Sequence, residues 1–232
     1  MDKKIFPISK YKFDNQDLLS ELTDSESQIL TCNKVITYFK AGQEIFKEGT
    51  TPKGVYRVKK GKVKKITATN FGTEHIFYIC KENEYLGYHA ILSEEDYPDS
   101  AIALLDCEVE FIPKKDFLRV VHESHFLSRR LLKTLSHEFG VFLNATKILA
   151  KYTVRERTAL NLLILEEKFR VDNDSTSELE INRDDLASMV GTAKESLVRM
   201  LKDFKEEKLI STKGRIIFIE DLEGLVKATN YK

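Results

Sequence analysis

The stretch that decides the fold is Asn182 to Lys208, NRDDLASMVGTAKESLVRMLKDFKEEK. It divides at Gly191 into two short segments, each with apolar residues at helical spacing. Gly191 stands where a tight turn requires a positive φ, and Ala187 is small where two crossing helices approach closely. Thr192 and Glu195 have the spacing of a capping box that would start the second helix. The pattern predicts a helix-turn-helix.

The second segment carries its apolar and charged residues on opposite faces. At roughly 100° per residue, Leu197 and Phe204 fall on one face, and Lys194 and Arg199 fall on the other. Such a helix fits the major groove of B-DNA, where Arg and Lys donate to guanine O6 and N7. The spacing alone leaves open an ordinary helical hairpin with a solvated charged face.

Charge favours DNA binding only locally. The chain has 37 basic and 37 acidic residues. Residues 151 to 232 contain 15 Lys and Arg against 16 Asp and Glu, so the attraction for phosphate must come from a patch. The second segment and the residues just beyond it supply such a patch: Lys194, Arg199, Lys202, Lys205, Lys208, Lys213 and Arg215.

An earlier region, from about Val35 to Pro113, consists of short β-branched and aromatic runs broken by glycine. Short strands at even spacing are typical of an antiparallel barrel or sandwich and not of a parallel sheet. The runs predicted as strands are 45 to 46, 55 to 58, 62 to 66, 75 to 79, 101 to 105 and 109 to 112.

A long helix is predicted from about His125 to Ala150. One heptad seam indicates that two copies of the helix pair in a homodimer, although burial within one chain remains the alternative. A second stripe is expected to pack on the β domain. The seam consists of Ser128, Leu132, Leu135, Phe139, Phe142, Thr146 and Leu149, and the second stripe of Leu127, Leu131, Val141, Ala145 and Ile148.

The remaining elements complete a winged helix. Thr153 and Glu156 form a capping box that opens a helix through Phe169, with a hinge at Lys151 and Tyr152. A polar connection follows at 171 to 178. Alternating residues on either side of Lys213 and Gly214 predict a β-hairpin after the helix-turn-helix. Near the start of the chain, Ser25 and Gln28 have the spacing of another capping box, for a helix over 25 to 33.

The order of these parts resembles the catabolite-activator and fumarate-nitrate-reduction regulator (CRP/FNR) family over nearly the whole chain. FKAGQEIFKEGTTPKGVYRVKKGKVKKI is similar to the opening strands of that family's cyclic-nucleotide-binding β-roll, and INRDDLASMVGTAKESLVRMLKDFKEEKLIS to its winged-helix signature. The resemblance implies that Lys194, Glu195 and Arg199 read bases and that Ser196 contacts a phosphate. Lys194 stands where the family more often has Arg, which alone offers a bidentate fork to guanine.

The effector site departs from the family pattern. Members that bind cyclic AMP carry a Gly-Glu pair for the ribose and an Arg-Ala or Arg-Ser element for the phosphate. The matching stretches here are GYHA at 87 to 90 and PDSA at 98 to 101, so both recognition groups are missing and cyclic AMP is not expected as a ligand. The pocket is then either empty or shaped for another ligand, and Tyr88 and His89 either line it or simply fill it. The residues expected in this altered effector pocket are Gly87, Tyr88, His89, Asp99 and Ser100.

Other functions find little support in the sequence. Three scattered cysteines do not supply the four thiolates of an iron–sulfur cluster, so no cofactor is expected. His122 and His125 lie three residues apart, but no ligand cluster joins them and no metal site is predicted. No catalytic triad, phosphate-binding glycine loop or carboxylate pair indicates an enzyme. The chain lacks a long apolar run, which predicts a cytoplasmic protein without a membrane partner.

The sequence therefore predicts an α+β fold in three parts. Residues 1–123 form an N-terminal helix and an antiparallel, jelly-roll-like β-roll, 124–151 form the dimerisation helix and hinge, and 152–232 form the winged helix-turn-helix. The predicted function is a homodimeric transcription regulator that binds a pseudo-palindromic double-stranded DNA site, with RNA polymerase as a partner if it activates. The alternative is a ligand-binding or protein-interaction module whose winged helix does not read DNA. The predicted DNA-contacting residues are Lys194, Glu195, Ser196, Arg199, Lys202, Lys213 and Arg215.

Overall fold

The computed structural model describes residues 6 to 68, 74 to 170 and 177 to 230, which form two compact units. One unit is Phe13–Phe139, and the other joins Met1–Lys12 to Gly140–Lys232. The sequence assigns all of 1–123 to one N-terminal domain. In the structure, Phe6 to Lys12 instead belong to the unit that contains the C-terminal half of the chain.

The unit Phe13–Phe139 contains a β-roll. Its strands are β1 (Val35–Phe39), β2 (Glu44–Phe46), β3 (Gly54–Lys60), β4 (Val63–Ala68), β5 (Glu74–Cys80), β6 (Tyr85–Leu86), β7 (Ser100–Ala103) and β8 (Cys107–Pro113). They pair antiparallel in two sheets, with the orders β1-β8-β3-β6 and β2-β7-β4-β5. The six predicted strands are confirmed, whereas β1 and β6 were not predicted as separate strands.

Helices cover part of the β-roll and share its core. They are α1 (Asp24–Cys32), α2 (Tyr88–Ser93), α3 (Lys114–Glu123) and the first part of α4 (His125–Lys151). Their apolar faces meet residues of the sheets in one buried cluster. It contains Leu18, Leu30, Val55, Tyr85, Tyr88, Ile91, Ile112, Phe117, Val120, Leu127 and Leu131.

The start of α1 differs from the prediction. Thr23, and not Ser25, is the N-cap, and it exchanges hydrogen bonds with Glu26 in a complete capping box. The Thr23–Glu26 pair has the same three-residue spacing as Ser25 and Gln28. The sequence therefore contains two registers for the same motif, and the one that forms is the earlier register, in which the third helical residue is the carboxylate Glu26.

The second unit contains the C-terminal elements. They are α5 (Val154–Phe169), β9 (Leu179–Glu180), α6 (Arg183–Val190), α7 (Lys194–Glu206), β10 (Ile210–Lys213), β11 (Ile216–Ile219) and α8 (Leu222–Ala228). The hairpin of β10 and β11 is confirmed, and β9 extends it to three strands. The capping box of Thr153 and Glu156 is confirmed as well. Residues 171 to 176, predicted as a polar connection, lie outside the described residues.

Helix α4 is confirmed from His125, but its stripes are distributed differently from the prediction. Leu127 and Leu131 lie in the β-roll core. Val141 and Ile148 are also buried, but they belong to the second unit and not to the β-roll. Leu135, predicted in the dimer seam, instead packs against the β-roll core.

An apolar strip along α4 is left exposed in the single chain. We define the α4 strip as Leu132, Phe139, Phe142, Leu143 and Leu149, which are between 39% and 68% exposed. Four of these residues belong to the predicted seam, and Leu143 was missed. A run of large exposed apolar side chains on one helix is unusual unless another surface covers it.

Candidate functional site

The turn between α6 and α7 depends on a glycine. Asn182 caps α6, its Oδ1 accepting from the Asp185 N–H at 2.7 Å. Gly191 ends the helix with a φ of +67°, as the sequence predicts. A Cβ at Gly191 would lie 3.0 Å from Cδ2 of Leu149, so both conformation and space favour glycine there.

Arg157 on α5 also holds this turn in place. Its Nε donates to the carbonyl of Val190 at 2.8 Å, and its Nη2 donates to that of Gly191 at 3.1 Å. A helix end leaves such carbonyls without intrahelical partners. The sequence does not predict this role, because Arg157 and the two carbonyls are more than thirty residues apart and share no motif.

The start of α7 corrects a prediction. Thr192 is not the N-cap; Ala193 is, and its side chain makes no capping hydrogen bond. Glu195 therefore stands second in the helix and not third, one position away from where a capping box requires it. Glu195 is left exposed at the beginning of the helix, where its carboxylate interacts favourably with the helix dipole.

The two faces of α7 are as predicted. Leu197, Leu201 and Phe204 are buried, and Arg155 lies over the Phe204 ring with 4.7 Å between Cζ and the centroid. Ser196 is half-buried. The residues of the opposite face are exposed: Lys194, Glu195, Val198, Arg199 and Lys202.

Two basic residues on this face have polar neighbours. Arg199 Nη2 donates to Ser196 Oγ at 3.1 Å, one turn back along the helix. Lys194 Nζ pairs with Asp184 Oδ2 at 2.8 Å, and both side chains are at least half exposed. The ion pair joins the first residue of α7 to the first turn of α6.

The wing lies next to the same first turn of α6. The two-residue connection Gly214-Arg215 joins β10 to β11, since Lys213 pairs with Ile216. Arg183 donates to the carbonyls of Gly214 at 3.3 Å and Arg215 at 3.4 Å. The start of α6 therefore contacts both Lys194 and the backbone of the wing, which carries the exposed side chains of Lys213 and Arg215. The roles of Arg183 and Asp184 were not predicted.

The residues predicted to line the effector pocket contact other side chains of the protein. Gly87 has a φ of +85° and precedes α2, which carries Tyr88 into the core. The Tyr88 hydroxyl donates to Glu138 of α4 and lies 3.1 Å from Nδ2 of Asn15. Burial raises the pKa of Tyr88 well above its ordinary value, and it also raises the pKa of Glu138.

A second buried group lies at Asp99. Its Oδ2 is 3.1 Å from Lys65 Nζ, and its Oδ1 is 3.1 Å from His89 Nε2. Burial alone would raise the pKa of Asp99, but Lys65 and His89 lower it below its ordinary value. Burial and the charge of Lys65 lower the pKa of His89. The carboxylate that would repel a phosphate is thus neutralised by Lys65, which the sequence analysis did not identify.

Ser100 is engaged as well. Its Oγ accepts a hydrogen bond from the Glu48 N–H at 2.9 Å. The five predicted pocket residues therefore fall into two groups, one around Tyr88 and Glu138 and one around Asp99. Neither stretch, 87 to 90 or 98 to 101, carries the glutamate or the arginine with which the family holds the ribose and the cyclic phosphate.

Glu138→Gln tests the buried carboxyl. Because folding raises the pKa of Glu138 above 4.5, this group favours the folded state while protonated and loses that contribution as pH rises above 4.5. Glutamine does not titrate. The melting temperature of the variant, relative to that of the unaltered protein, should therefore rise as the pH is raised from 4.5 to 7.5. Thermal denaturation across this range measures the difference. Glu123→Gln on the exposed end of α3 is the control, and the same pH dependence in both variants would contradict the assignment.

Two families of domains match the chain. Residues 36–124 match the cyclic nucleotide-binding domain, and residues 156–228 match the Crp-like helix-turn-helix domain. Together the two matches cover well over half of the chain. Within the described residues no helix is both long and apolar enough to cross a membrane.

Relatives match across both domains. The chain is 28% identical to the fumarate and nitrate reduction regulatory protein of Yersinia pestis, over 80% of this chain and 75% of that protein. It is 29% identical to the transcriptional activator protein anr of Pseudomonas aeruginosa, over 78% of this chain and 75% of that protein. The structure of FixK2 from Bradyrhizobium japonicum superposes with a TM-score of 0.76 at 19% identity, covering 84% of this chain and 96% of FixK2.

A cyclic nucleotide-binding-type β-roll followed by a long helix and a Crp-like winged helix-turn-helix defines a DNA-binding transcription regulator. The matches on both domains and across the chain agree with this class. The chain belongs to the CRP/FNR family of transcription regulators.

Proposed function

We propose that the protein acts as a homodimer that binds a pseudo-palindromic DNA site through α7. The observation that carries the proposal is the exposed face of α7, where Lys194 and Arg199 project from a helix whose opposite face buries Leu197, Leu201 and Phe204. Arg and Lys on such a face match the acceptors of guanine in the major groove. In this proposal Lys194, Glu195 and Arg199 contact bases.

The remaining contacts go to the DNA backbone. Ser196, Lys202, Lys213 and Arg215 would contact phosphates, because they are exposed or half-buried side chains on α7 and on the adjacent wing. Arg183 and Arg157 position these elements through their bonds to the wing and to the turn. Phosphate contacts fix the position of α7 on the duplex without reading its sequence.

The α4 strip supplies the dimer interface in this proposal. Leu132, Phe139 and Leu143 recur at spacings of seven and four, and the predicted seam members Phe142, Thr146 and Leu149 lie beside them. Pairing of two strips removes large apolar side chains from water. Two copies of α7 would then enter major grooves about one helical turn apart.

The β-roll would act without cyclic AMP, because the groups that recognise ribose and phosphate are replaced by Tyr88 and by the Lys65–Asp99 pair. As a regulator of chromosomal DNA the protein would act in the cytoplasm. RNA polymerase is the expected partner if the bound protein activates transcription.

Selection from a randomised duplex pool tests the proposal. The purified full chain, without added ligand, should enrich a two-fold symmetric motif after several rounds. Enrichment of an asymmetric motif would contradict the dimer, and enrichment of none would contradict DNA reading without a ligand.

An interaction module that does not read DNA is the second candidate. Two observations favour it: the acidic and basic residues of the C-terminal part nearly balance, and Lys194 is paired with Asp184. Salt dependence separates the candidates, because each phosphate contact releases counterions. A DNA reader should lose affinity steeply between 50 and 200 mM salt, roughly as the number of phosphate contacts predicts.

Asp184→Asn should strengthen binding to DNA of any sequence. The substitution frees Lys194 and removes a negative charge from the start of α6, so affinity for random duplex should rise roughly two- to fivefold at low salt and converge at high salt. Fluorescence anisotropy at several salt concentrations measures this. Glu206→Gln removes the same charge near the end of α7, where it neighbours Lys202 at 3.7 Å. An equal rise in both variants would show that only net charge matters.

A further inference from the structure

A short segment at the start of the β-roll unit packs beside the predicted effector residues. The Phe13 ring stacks on Tyr78 with 3.7 Å between centroids, and the Phe13 N–H donates to the Tyr78 hydroxyl at 2.8 Å. Lys65, which pairs with Asp99, has its Nζ 6.0 Å from the centroid of the Phe13 ring. Leu18 is 1% exposed and belongs to the β-roll core.

Asn15 makes the most specific contacts of this segment. Its Nδ2 lies 3.0 Å from the Tyr85 carbonyl, 3.1 Å from the Tyr88 hydroxyl and 3.2 Å from Glu138 Oε1. Its Oδ1 accepts from the Tyr85 N–H at 3.2 Å. The side chain is buried, so these bonds replace water that the groups would otherwise need. Asn15 thus links β6, α2 and α4 as a bound ligand would.

The residues just before this segment are anchored in the other unit. Phe6 is 1% exposed, and Ile8 and Tyr11 in the turn Ile8–Tyr11 are also buried. Lys12 Nζ pairs with Glu167 of α5 at 2.8 Å, and Asn144 Nδ2 donates to the Lys10 carbonyl at 3.1 Å. Lys12 and Phe13 are neighbours in the chain. The contacts of residues 6 to 12 and those of residues 13 to 18 therefore follow each other without a spacer.

We propose that residues 6 to 18 are a built-in effector, in which 13 to 18 occupy the β-roll site and 6 to 12 transmit that occupancy to the winged-helix unit. The inference rests on the proposed function and concerns its regulation. In it, the segment replaces a diffusible small molecule, and the occupied state is the one that binds DNA.

The physical basis is preorganisation. A segment that is already attached to the chain and anchored by buried side chains loses less conformational freedom on occupying its site than a free ligand does. A ligand shifts a conformational equilibrium only by its difference in affinity for the two states, and a covalently attached ligand is always present at the site. The occupied state needs no external signal.

Hydrogen exchange in the full chain tests the transmission directly. Asn15→Leu removes the bonds to Tyr85, Tyr88 and Glu138 and alters none of residues 6 to 12. The amides of 8 to 11 should then exchange at least roughly tenfold faster. Gln16→Ala is the matched control, because Gln16 is exposed and its Nε2 is 3.4 Å from the Glu82 carbonyl. In this control variant, exchange of the amides of 8 to 11 should change less than about twofold. Faster exchange confined to residues 13 to 18 and the β-roll overturns the proposal.

A second variant keeps the test decisive if Asn15→Leu does not fold. A short glycine–serine insertion between Lys12 and Phe13 preserves both anchors and breaks only their direct link. It should weaken binding to the selected duplex at least about tenfold, whereas the same insertion before Met1 should leave it unchanged. Equal or tighter binding overturns the proposal. If the unaltered chain selects no symmetric duplex, the proposed function fails, and the exchange experiment still decides whether the segment couples the two anchors.

Discussion

Phe139→Glu is expected to convert the dimer to a monomer and to lower affinity for the selected duplex by at least about 100-fold. Phe139 is 64% exposed in the single chain, so the substitution removes no packing from the protomer core. In a dimer it would place two carboxylates in an apolar interface without partners. A dimer gains its affinity by binding two half-sites at once, and a monomer loses that gain.

Sedimentation velocity and anisotropy on the same sample measure the two effects. Lys133→Glu is the control, because it introduces glutamate at an exposed position of α4 that is not part of the α4 strip. The control should stay dimeric and bind DNA within a few-fold of the unaltered protein. A Phe139→Glu protein that remains dimeric would place the interface elsewhere.

The parts of the fold that the sequence predicts best are those with local signals. Gly191 is required by its positive φ, and the Thr153 capping box lies within four residues, so both are visible without knowledge of the fold. The helix-turn-helix, the hairpin and most strands follow from such patterns. The capping boxes predicted for α1 and α7 show the limit of this signal. Helix α1 uses the earlier Thr23–Glu26 register, and α7 begins after Ala193 without a side-chain cap, so the spacing alone does not decide where, or whether, a box forms.

The parts that the sequence misses depend on long-range contacts. Helical periodicity places Leu135 in the exposed seam, but the β-roll core covers it. Arg157 and Arg183 contact backbone carbonyls, which leave no trace in the side-chain pattern. The hydrogen bond between Asn15 and Glu138 near Tyr88 likewise joins residues that lie 123 positions apart. Sequence showed that the nucleotide-binding groups were missing but not what replaced them.

Arg199→Ala is expected to cost about 1 to 3 kcal/mol in binding to the selected duplex and little in binding to random DNA. Arg199 is exposed on α7, and its guanidinium lies next to Ser196 Oγ, which restricts its orientation. A guanidinium held in this way can donate two bonds to one guanine. Competition titrations with the selected and random duplexes measure the two losses separately.

Arg199→Lys separates charge from geometry. Lysine keeps the positive charge but offers no planar fork. If Arg199 reads guanine, the lysine variant should therefore lose nearly as much affinity for the selected duplex as the alanine variant does. Lys205→Ala removes a charge from the last turn of the same helix and should weaken binding to the selected and the random duplex equally. If Arg199→Lys binds like the unaltered protein and Arg199→Ala loses equally on both duplexes, Arg199 contacts phosphate. Sequence reading would then rest on Lys194 and Glu195, and the Lys194–Asp184 pair would influence which sequence is chosen.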